Sequence, residues 1–167
     1  SSRLADIKPS LTLSVTQKAQ ELRAAGVDVI SFSAGEPDFN TPEHIMEAAK
    51  RALDEGATRY TPVAGIPALR QAIAAESQEL RGVACDPSRV IVTVGAKHAL
   101  FGFFLAILDP GDEVIVPAPY WVSYPDQVRF AGGRPVIVET HPERAWTLDP
   151  DDITRAVGPK TKALVLN

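Results

Sequence analysis

The sequence predicts an α/β protein with a doubly wound, mainly parallel sheet and helices on both of its faces. In the second half of the chain, short apolar segments rich in β-branched residues alternate with segments of helical spacing. This order of strands and helices implies parallel pairing through right-handed crossovers. Every residue of Val90–Val94 is β-branched, which is typical of a strand buried on both faces.

The first half of the chain predicts an irregular arm, three helices and one short strand. Apolar residues recur at helical spacing after Ser10, and a glycine follows each helical segment. Thr41-Pro42-Glu43 combines a capping hydroxyl, a proline at the first helical position and an acid in the first turn, which is typical of a helix start. The predicted elements are an arm over residues 1–9, a helix over Ser10–Ala25, a strand over Val27–Phe32, a helix from Thr41 to Gly56 and a helix over Pro67–Arg81.

From residue 90 onward the predicted elements follow a regular alternation. Ala96–Leu108 is apolar nearly all round, which predicts a buried helix. Asp149-Pro150-Asp151-Asp152 repeats the pattern of a helix start, and Gly158 ends that helix. The other predicted elements are strands over Val90–Val94, Glu113–Val116, Pro135–Val138 and Lys162–Leu166, and a helix over Val122–Ala131.

Residues 1–42 do not join this alternation. We therefore predict a boundary between an N-terminal segment over residues 1–42 and a larger domain over residues 43–167. Leu166 and Asn167 follow the last predicted strand at its carboxyl end, which is the edge where open α/β sheets bind ligands. We expect this chain to supply one part of a ligand site whose other part lies beyond Asn167.

Composition excludes several classes of partner. The chain of 167 residues is 45% hydrophobic and 23% charged, as ordinary globular proteins are, and its net charge of -4 offers no basic face for nucleic acid or an anionic membrane. The longest apolar stretch, Ala99–Leu108, is far shorter than the ~20 residues of a membrane-spanning helix. The single cysteine, Cys85, excludes an internal disulfide and fits a reducing compartment, so a cytoplasmic location is expected.

Gly95-Ala96-Lys97 forms the first candidate binding site. A glycine between a strand and a helix directs backbone N–H groups and the positive end of the helix dipole towards one point, which is typical of an anion site. The same pattern is equally typical of a tight turn followed by a solvated lysine. It is neither a Walker loop nor a dinucleotide-binding fingerprint, because the required glycine and Gly-Lys-Ser/Thr spacings are absent.

An aromatic cluster over Tyr120–Tyr124 follows the next predicted strand. Trp121 at the sheet edge could stack on a flat heteroaromatic ring, although a tryptophan packed in the core is the commoner case. Gly35, in a turn-rich loop, could let its N–H approach a carboxylate closely, and the hydroxyl of Tyr60 could donate to an anion. His44, His98 and His141 show no metal-binding spacing, so no metal site is predicted.

Taken together, these segments resemble the class I, fold-type-I aminotransferases that use pyridoxal phosphate. They are most similar to the bacterial branch of aspartate aminotransferases that includes aspartate/prephenate enzymes. The matching segments lie in family order across nearly the whole chain and are Ser33–Pro42, Arg59–Gly65, Val92–Lys97, Leu108–Val114 and Pro119–Pro125.

The resemblance implies a role for each matching site residue. Gly95, Ala96 and Lys97 would hold the phosphate of pyridoxal 5′-phosphate. Trp121 would stack on the pyridine ring and touch the substrate carboxylate. Relatives often carry glycine where this chain has Ala96, but an alanine N–H can bind the phosphate equally well.

Three further residues receive roles from the resemblance alone. Gly35 would approach the substrate carboxylate through its N–H group. Tyr60 would reach the cofactor phosphate of a neighbouring subunit, which implies a homodimer. Lys8 matches a lysine that is linked, in this branch, to the use of prephenate.

The resemblance also implies that essential groups are absent from these residues. None of the lysines lies in the family's Schiff-base context; they are Lys8, Lys18, Lys50, Lys97, Lys160 and Lys162. The family's catalysis requires that lysine both as the cofactor's anchor and as a base. We therefore expect an incomplete cofactor-binding large domain over residues 43–167 and no transamination by this chain alone.

Several functions remain open from the sequence. The first is the N-terminal part of an enzyme that transfers an amino group between L-aspartate and 2-oxoglutarate, acting as a homodimer. The same family also includes enzymes for prephenate and glutamate, for alanine and for aromatic substrates. A non-catalytic binding protein of aminotransferase ancestry, or an enzyme that uses Gly95–Lys97 for a nucleotide phosphate, is the alternative from another class.

Overall fold

The computed structural model describes residues 4, 5, 7, 9–33 and 35–167. Within these residues, helices and a parallel sheet form an α/β fold, as the sequence predicts. The chain divides into two compact units, one over residues 1–34 and 95–167 and the other over residues 35–94. The predicted boundary between residues 42 and 43 stays a prediction.

Among its described residues, the first unit contains the sheet and four α-helices. Helix α1 spans Leu11–Ala24, α4 spans Gly95–Ile107, α5 spans Ser123–Phe130 and α6 spans Pro150–Ala156. The strands are β1 over Glu113–Ala118, β2 over Arg134–Glu139 and β3 over Thr161–Leu164.

Strand β1 lies at the centre of the sheet, whose order is β2-β1-β3, and both pairings are parallel. In the register with β2, Ile115 lies opposite Val136. Residues Val114, Ile115 and Val116 of β1 are at most 1% exposed. This near-continuous burial is what a central parallel strand requires, because helices and neighbouring strands exclude water from both of its faces.

One apolar core joins the sheet to α4 and α5. Phe104 enters it from α4 and Val128 from α5, and Phe104 is 1% exposed while Val128 is fully buried. The remaining buried members of this core are Leu108, Val114, Val116 and Val165. Packing of α5 on both β1 and β2 thus fixes the start of α5 close to the end of β1.

The second unit is helical among its described residues. It contains α2 over Glu43–Asp54, α3 over Pro67–Arg81 and a short 3-10 helix over Pro87–Arg89. Gly65 has a positive φ of 100°, and a Cβ at this position would lie 2.6 Å from Cγ2 of Val92. The Val92 N–H donates to the Ala64 carbonyl at 3.0 Å, so the chain must pass this point without a side chain.

Two of the predicted strands are wrong. Val27–Phe32 forms no strand, and its Val29 carbonyl accepts two hydrogen bonds from the Arg23 guanidinium. Val90–Val94 also forms no strand: Ile91 is 70% exposed and Val94 is 88% exposed. The β-branched composition was not sufficient, because a strand forms only where a neighbour supplies a hydrogen-bonded ladder, and the sheet of the described residues consists of β1, β2 and β3.

The prediction of a helix buried all round over Ala96–Leu108 is also wrong. The helix forms, but Phe104 is its one buried residue among those described, while Phe103 and Leu105 are 51% and 50% exposed. Only one stripe of α4 is buried in the core, and Phe103 and Leu105 on either side of Phe104 stay half exposed. No helix of the described residues combines the length and the apolar character that a membrane crossing would demand.

Candidate functional site

The N-terminus of α4 carries the first predicted site residues. Gly95 opens this 13-residue helix with a positive φ of 79°, and apart from its chain neighbours and the backbone of α4 no described atom lies within 4 Å of where its Cβ would be. Glycine is therefore required here by backbone conformation, not by lack of space. Ala96 and Lys97 follow in the first turn, and that turn contains no acidic residue. Backbone amides, the helix dipole and one ammonium group thus give this end of α4 a positive character.

Trp121 lies beside this helix end. The structure places the Lys97 ammonium nitrogen 5.0 Å from the centroid of the Trp121 ring, within the range of a cation–π contact. Trp121 is 43% exposed, so the alternative of a tryptophan sealed in the core does not fit. The indole stands between the end of β1 and the start of α5, and the core packing of those two elements holds it there.

Three hydrogen bonds fix the surroundings of Trp121. The Tyr124 N–H donates to the Trp121 carbonyl at 3.0 Å. The Tyr124 hydroxyl donates to Oδ1 of Asn167 at 2.6 Å, which ties the start of α5 to the residues that follow β3. Nε2 of Gln127 donates to the Lys97 carbonyl at 2.9 Å, which ties α5 to the first turn of α4.

Gln127 also contains a polar atom that lacks a partner. Its Oε1 is buried and accepts no hydrogen bond from any of the described residues. Such an atom costs about 1–3 kcal/mol, whereas one ordinary hydrogen bond contributes only about 1 kcal/mol. Sequence reasoning did not select Gln127, because a contact between residues 97 and 127 leaves no local pattern in the sequence.

The other predicted site residues lie elsewhere. Gly35 and Tyr60 belong to the second unit. Tyr60 is fully exposed and lines a surface depression with Thr58 and Arg59. No described atom lies within 4 Å of a Cβ built on Gly35, so a ligand could approach its backbone. The predicted residue Lys8 lies outside the described residues. The structure therefore brings together Gly95, Ala96, Lys97 and Trp121 from the predicted set.

Among the described residues, two carboxyl groups have a shifted pKa, and both lie outside this cluster. The pKa of Asp149 is lowered, first by the hydrogen bond from the Asp151 N–H and further by the Arg144 guanidinium. A hydrogen bond from Ser88 likewise lowers the pKa of Asp86. Both residues cap the start of a helical segment, so these shifts reflect helix capping.

These features define a class of protein: a parallel α/β fold that presents a cationic helix end beside a half-exposed indole. A sequence model of the family described as "Aminotransferase class I and II" matches residues 27–167. The chain therefore belongs to the class I and II aminotransferases, and the resemblance found in the sequence is confirmed.

The similar proteins carry more specific names. The chain is 58% identical over 167 residues to the aspartate/prephenate aminotransferase of Thermus thermophilus, and this match covers 100% of the chain and 43% of that protein. It is 57% identical to the probable aspartate/prephenate aminotransferase of Thermus aquaticus, covering 44% of that protein. The chain thus spans less than half the length of these relatives.

Solved structures agree with the fold. The aspartate aminotransferase from Thermus thermophilus with maleate superposes with a TM-score of 0.96 at 57% identity, covering 99% of this chain and 44% of that one. The aspartate aminotransferase from Rhizobium meliloti gives a TM-score of 0.91 at 39% identity, covering 98% of this chain and 41% of that one.

Proposed function

We propose that this chain forms part of a pyridoxal-phosphate-dependent aminotransferase that moves an amino group between L-aspartate and 2-oxoglutarate. Membership of the family and the names of the Thermus relatives support this proposal. The observation that carries it is the contact between Lys97 and Trp121 at the N-terminus of α4. This contact joins a cation and backbone donors to an aromatic face, and the cofactor has both an anionic group and a flat ring.

The residues of the cluster fit this cofactor by the chemistry of their donor groups. The backbone amides of Gly95, Ala96 and Lys97 and the Lys97 ammonium would bind the phosphate. The half-exposed ring of Trp121 would stack on the pyridine ring. A dianion at the N-terminus of α4 would be stabilised by the helix dipole as well as by the lysine.

When bound, pyridoxal phosphate supplies an electron sink that stabilises negative charge at the α-carbon of an amino acid. The residues of this chain would bind and orient it. The Trp121 ring would fix the plane of the cofactor and keep water from one of its faces. The Gly35 N–H would bind the substrate carboxylate, and its open surroundings allow close approach.

Two further roles are proposed on the resemblance. The hydroxyl of Tyr60 would bind the cofactor phosphate of a second subunit in a homodimer, which is consistent with its full exposure. Lys8 would take part in recognising prephenate, an alternative substrate that the names of the relatives favour. We expect these 167 residues alone to catalyse no transamination, because none of their lysines matches the family's Schiff-base context.

An absorbance titration with pyridoxal 5′-phosphate tests the proposal on the protein in its encoded length. Lys97→Gln and Trp121→Leu should each weaken binding, since one removes a phosphate ligand and the other removes the stacking face. The control Lys50→Gln removes another exposed lysine, which pairs with Glu47 on α2, and it should leave binding unchanged. Wild-type protein that binds no cofactor, or variants that bind it as tightly as wild type, would contradict the proposal.

A further inference from the structure

The Gln127 side chain has an orientation in which one polar atom is hydrogen-bonded and the other is not, among the described residues. Nε2 donates to the Lys97 carbonyl at 2.9 Å, and this bond fixes which end of the amide faces α4, because the opposite orientation would set two oxygen atoms against each other. Oε1 is then buried, and none of the described residues donates to it. An unsatisfied buried acceptor generally costs more than one hydrogen bond returns. Methionine has a similar length and would fill the same space without that cost.

Among the described residues, the Gln127 side chain makes one hydrogen bond, and its acceptor lies in the first turn of α4. Its acceptor is the backbone of Lys97, whose side chain lies 5.0 Å from the Trp121 ring. Its donor lies on α5, whose first turn is joined to Trp121 by the bond from the Tyr124 N–H to the Trp121 carbonyl. Gln127 therefore links the backbone of the cationic turn to the helix that follows the indole. The Lys97 side chain contacts the indole itself, and farther along the two helices the Phe101 and Phe130 rings also join α4 to α5.

We propose that Gln127 is a positioning residue that sets the separation between the turn Gly95–Lys97 and the Trp121 ring. This inference rests on the proposed function, in which that separation must match the distance from the phosphate to the ring of one cofactor. Gln127 does not touch the cofactor. Its hydrogen bond to the Lys97 carbonyl restrains the first turn of α4 against α5. The free-energy cost of this restraint is that Oε1 is buried without a hydrogen bond from any described residue.

The test compares Gln127→Met with wild type in the protein in its encoded length. The variant loses the donor to Lys97 and also removes the unsatisfied oxygen. We expect the cofactor-free variant to unfold at the same temperature as wild type or at a higher one. We expect its dissociation constants for pyridoxal 5′-phosphate and for inorganic phosphate to rise about 3- to 10-fold, the equivalent of one ordinary hydrogen bond.

A measurement on ligand-free protein distinguishes a positioning role of Gln127 from a role in the stability of the fold. In cofactor-free protein, the coupling between Lys97→Gln and Trp121→Leu in a double-mutant cycle should fall when Gln127→Met is present. Gln78→Met is the matched control, because Gln78 is an exposed helical glutamine of α3, and it should change neither the coupling nor ligand binding. Gln127→Leu is the second variant and should behave like Gln127→Met.

Each outcome decides the inference. Unchanged affinity in Gln127→Met overturns it, and so does a loss of affinity that accompanies a lower unfolding temperature, since that result assigns Gln127 to the stability of the fold. In both cases wild type still binds the cofactor, and Lys97→Gln and Trp121→Leu still weaken binding. Failure of wild type to bind pyridoxal phosphate is a different result: it removes the proposed function and this inference with it.

Discussion

The Lys97 ammonium nitrogen lies 5.0 Å from the centroid of the Trp121 ring, although the two residues belong to different loop-to-helix junctions. At a partly exposed site such a cation–π contact contributes about 0.5–1 kcal/mol. We predict a coupling of that size between Lys97→Gln and Trp121→Leu in a double-mutant cycle of chemical unfolding. Added inorganic phosphate should lower the coupling, because the ammonium would then pair with the anion. Additive effects of the two substitutions would contradict the contact.

Phe104 is the largest side chain buried in the core, at 1% exposure. We predict that Phe104→Ala lowers the free energy of unfolding by about 3–5 kcal/mol, because it removes apolar burial and leaves a cavity. Phe103→Ala, one residue earlier on the exposed side of α4, is the control and should cost much less. If the two substitutions lowered the free energy of unfolding in urea equally, α4 would present a different face to the core.

Gly133 permits close packing between the turn before β2 and the core. A Cβ at this position would lie 2.9 Å from Cδ1 of Leu108 and 3.1 Å from Cγ1 of Val128. We predict that Gly133→Ala destabilises the fold by about 1–3 kcal/mol through overpacking, as measured by thermal unfolding.

Gly102 is the matched control for Gly133, because it lies in α4 and, apart from its chain neighbours and the backbone of that helix, no atom of the described residues lies within 4 Å of its added Cβ. There Gly102→Ala should stabilise the protein by about 0.5–1 kcal/mol, since alanine loses less backbone freedom in a helix. If Gly102→Ala were less stable than Gly133→Ala, the packing described for these two glycines would be wrong.

Asp149 makes part of the stability depend on pH. Its pKa is lowered in the folded state from its ordinary value of 3.8, chiefly by the hydrogen bond from the Asp151 N–H. Because the folded pKa is the lower one, this contribution is fully present above the ordinary pKa and is lost as pH falls through the folded value. Asp149→Asn should therefore have a lower unfolding temperature than wild type at pH 7. This difference in unfolding temperature should shrink as the solution is acidified to below pH 3.8. A difference that stays constant with pH would exclude this role of the carboxylate.

Local patterns predicted most elements well. Prolines marked the starts of α2, α3 and α6, Asp149 caps α6, and apolar β-branched segments marked β1, β2 and β3. The predicted Thr41 cap is wrong, because Pro42 is the N-cap residue of α2 and no side-chain hydrogen bond caps that helix. Capping and turn preferences act within a few residues, so a linear sequence displays them directly. The family membership was accessible for the same reason, because its motifs are short and lie in a fixed order.

Other features depended on contacts between distant residues. Val90–Val94 has the composition of a strand, yet no neighbour completes a ladder with it in the described structure. Helix α4 is apolar all round, but which stripe is buried was decided by the faces of α5 and the sheet. The sequence alone determined that a helix begins within Gly95-Ala96-Lys97, because backbone conformation and helix propensity are local. Only the tertiary structure decided that this lysine lies beside Trp121 and that Gln127 restrains its backbone, because both contacts require α4 and α5 to pack together across a long separation in the chain.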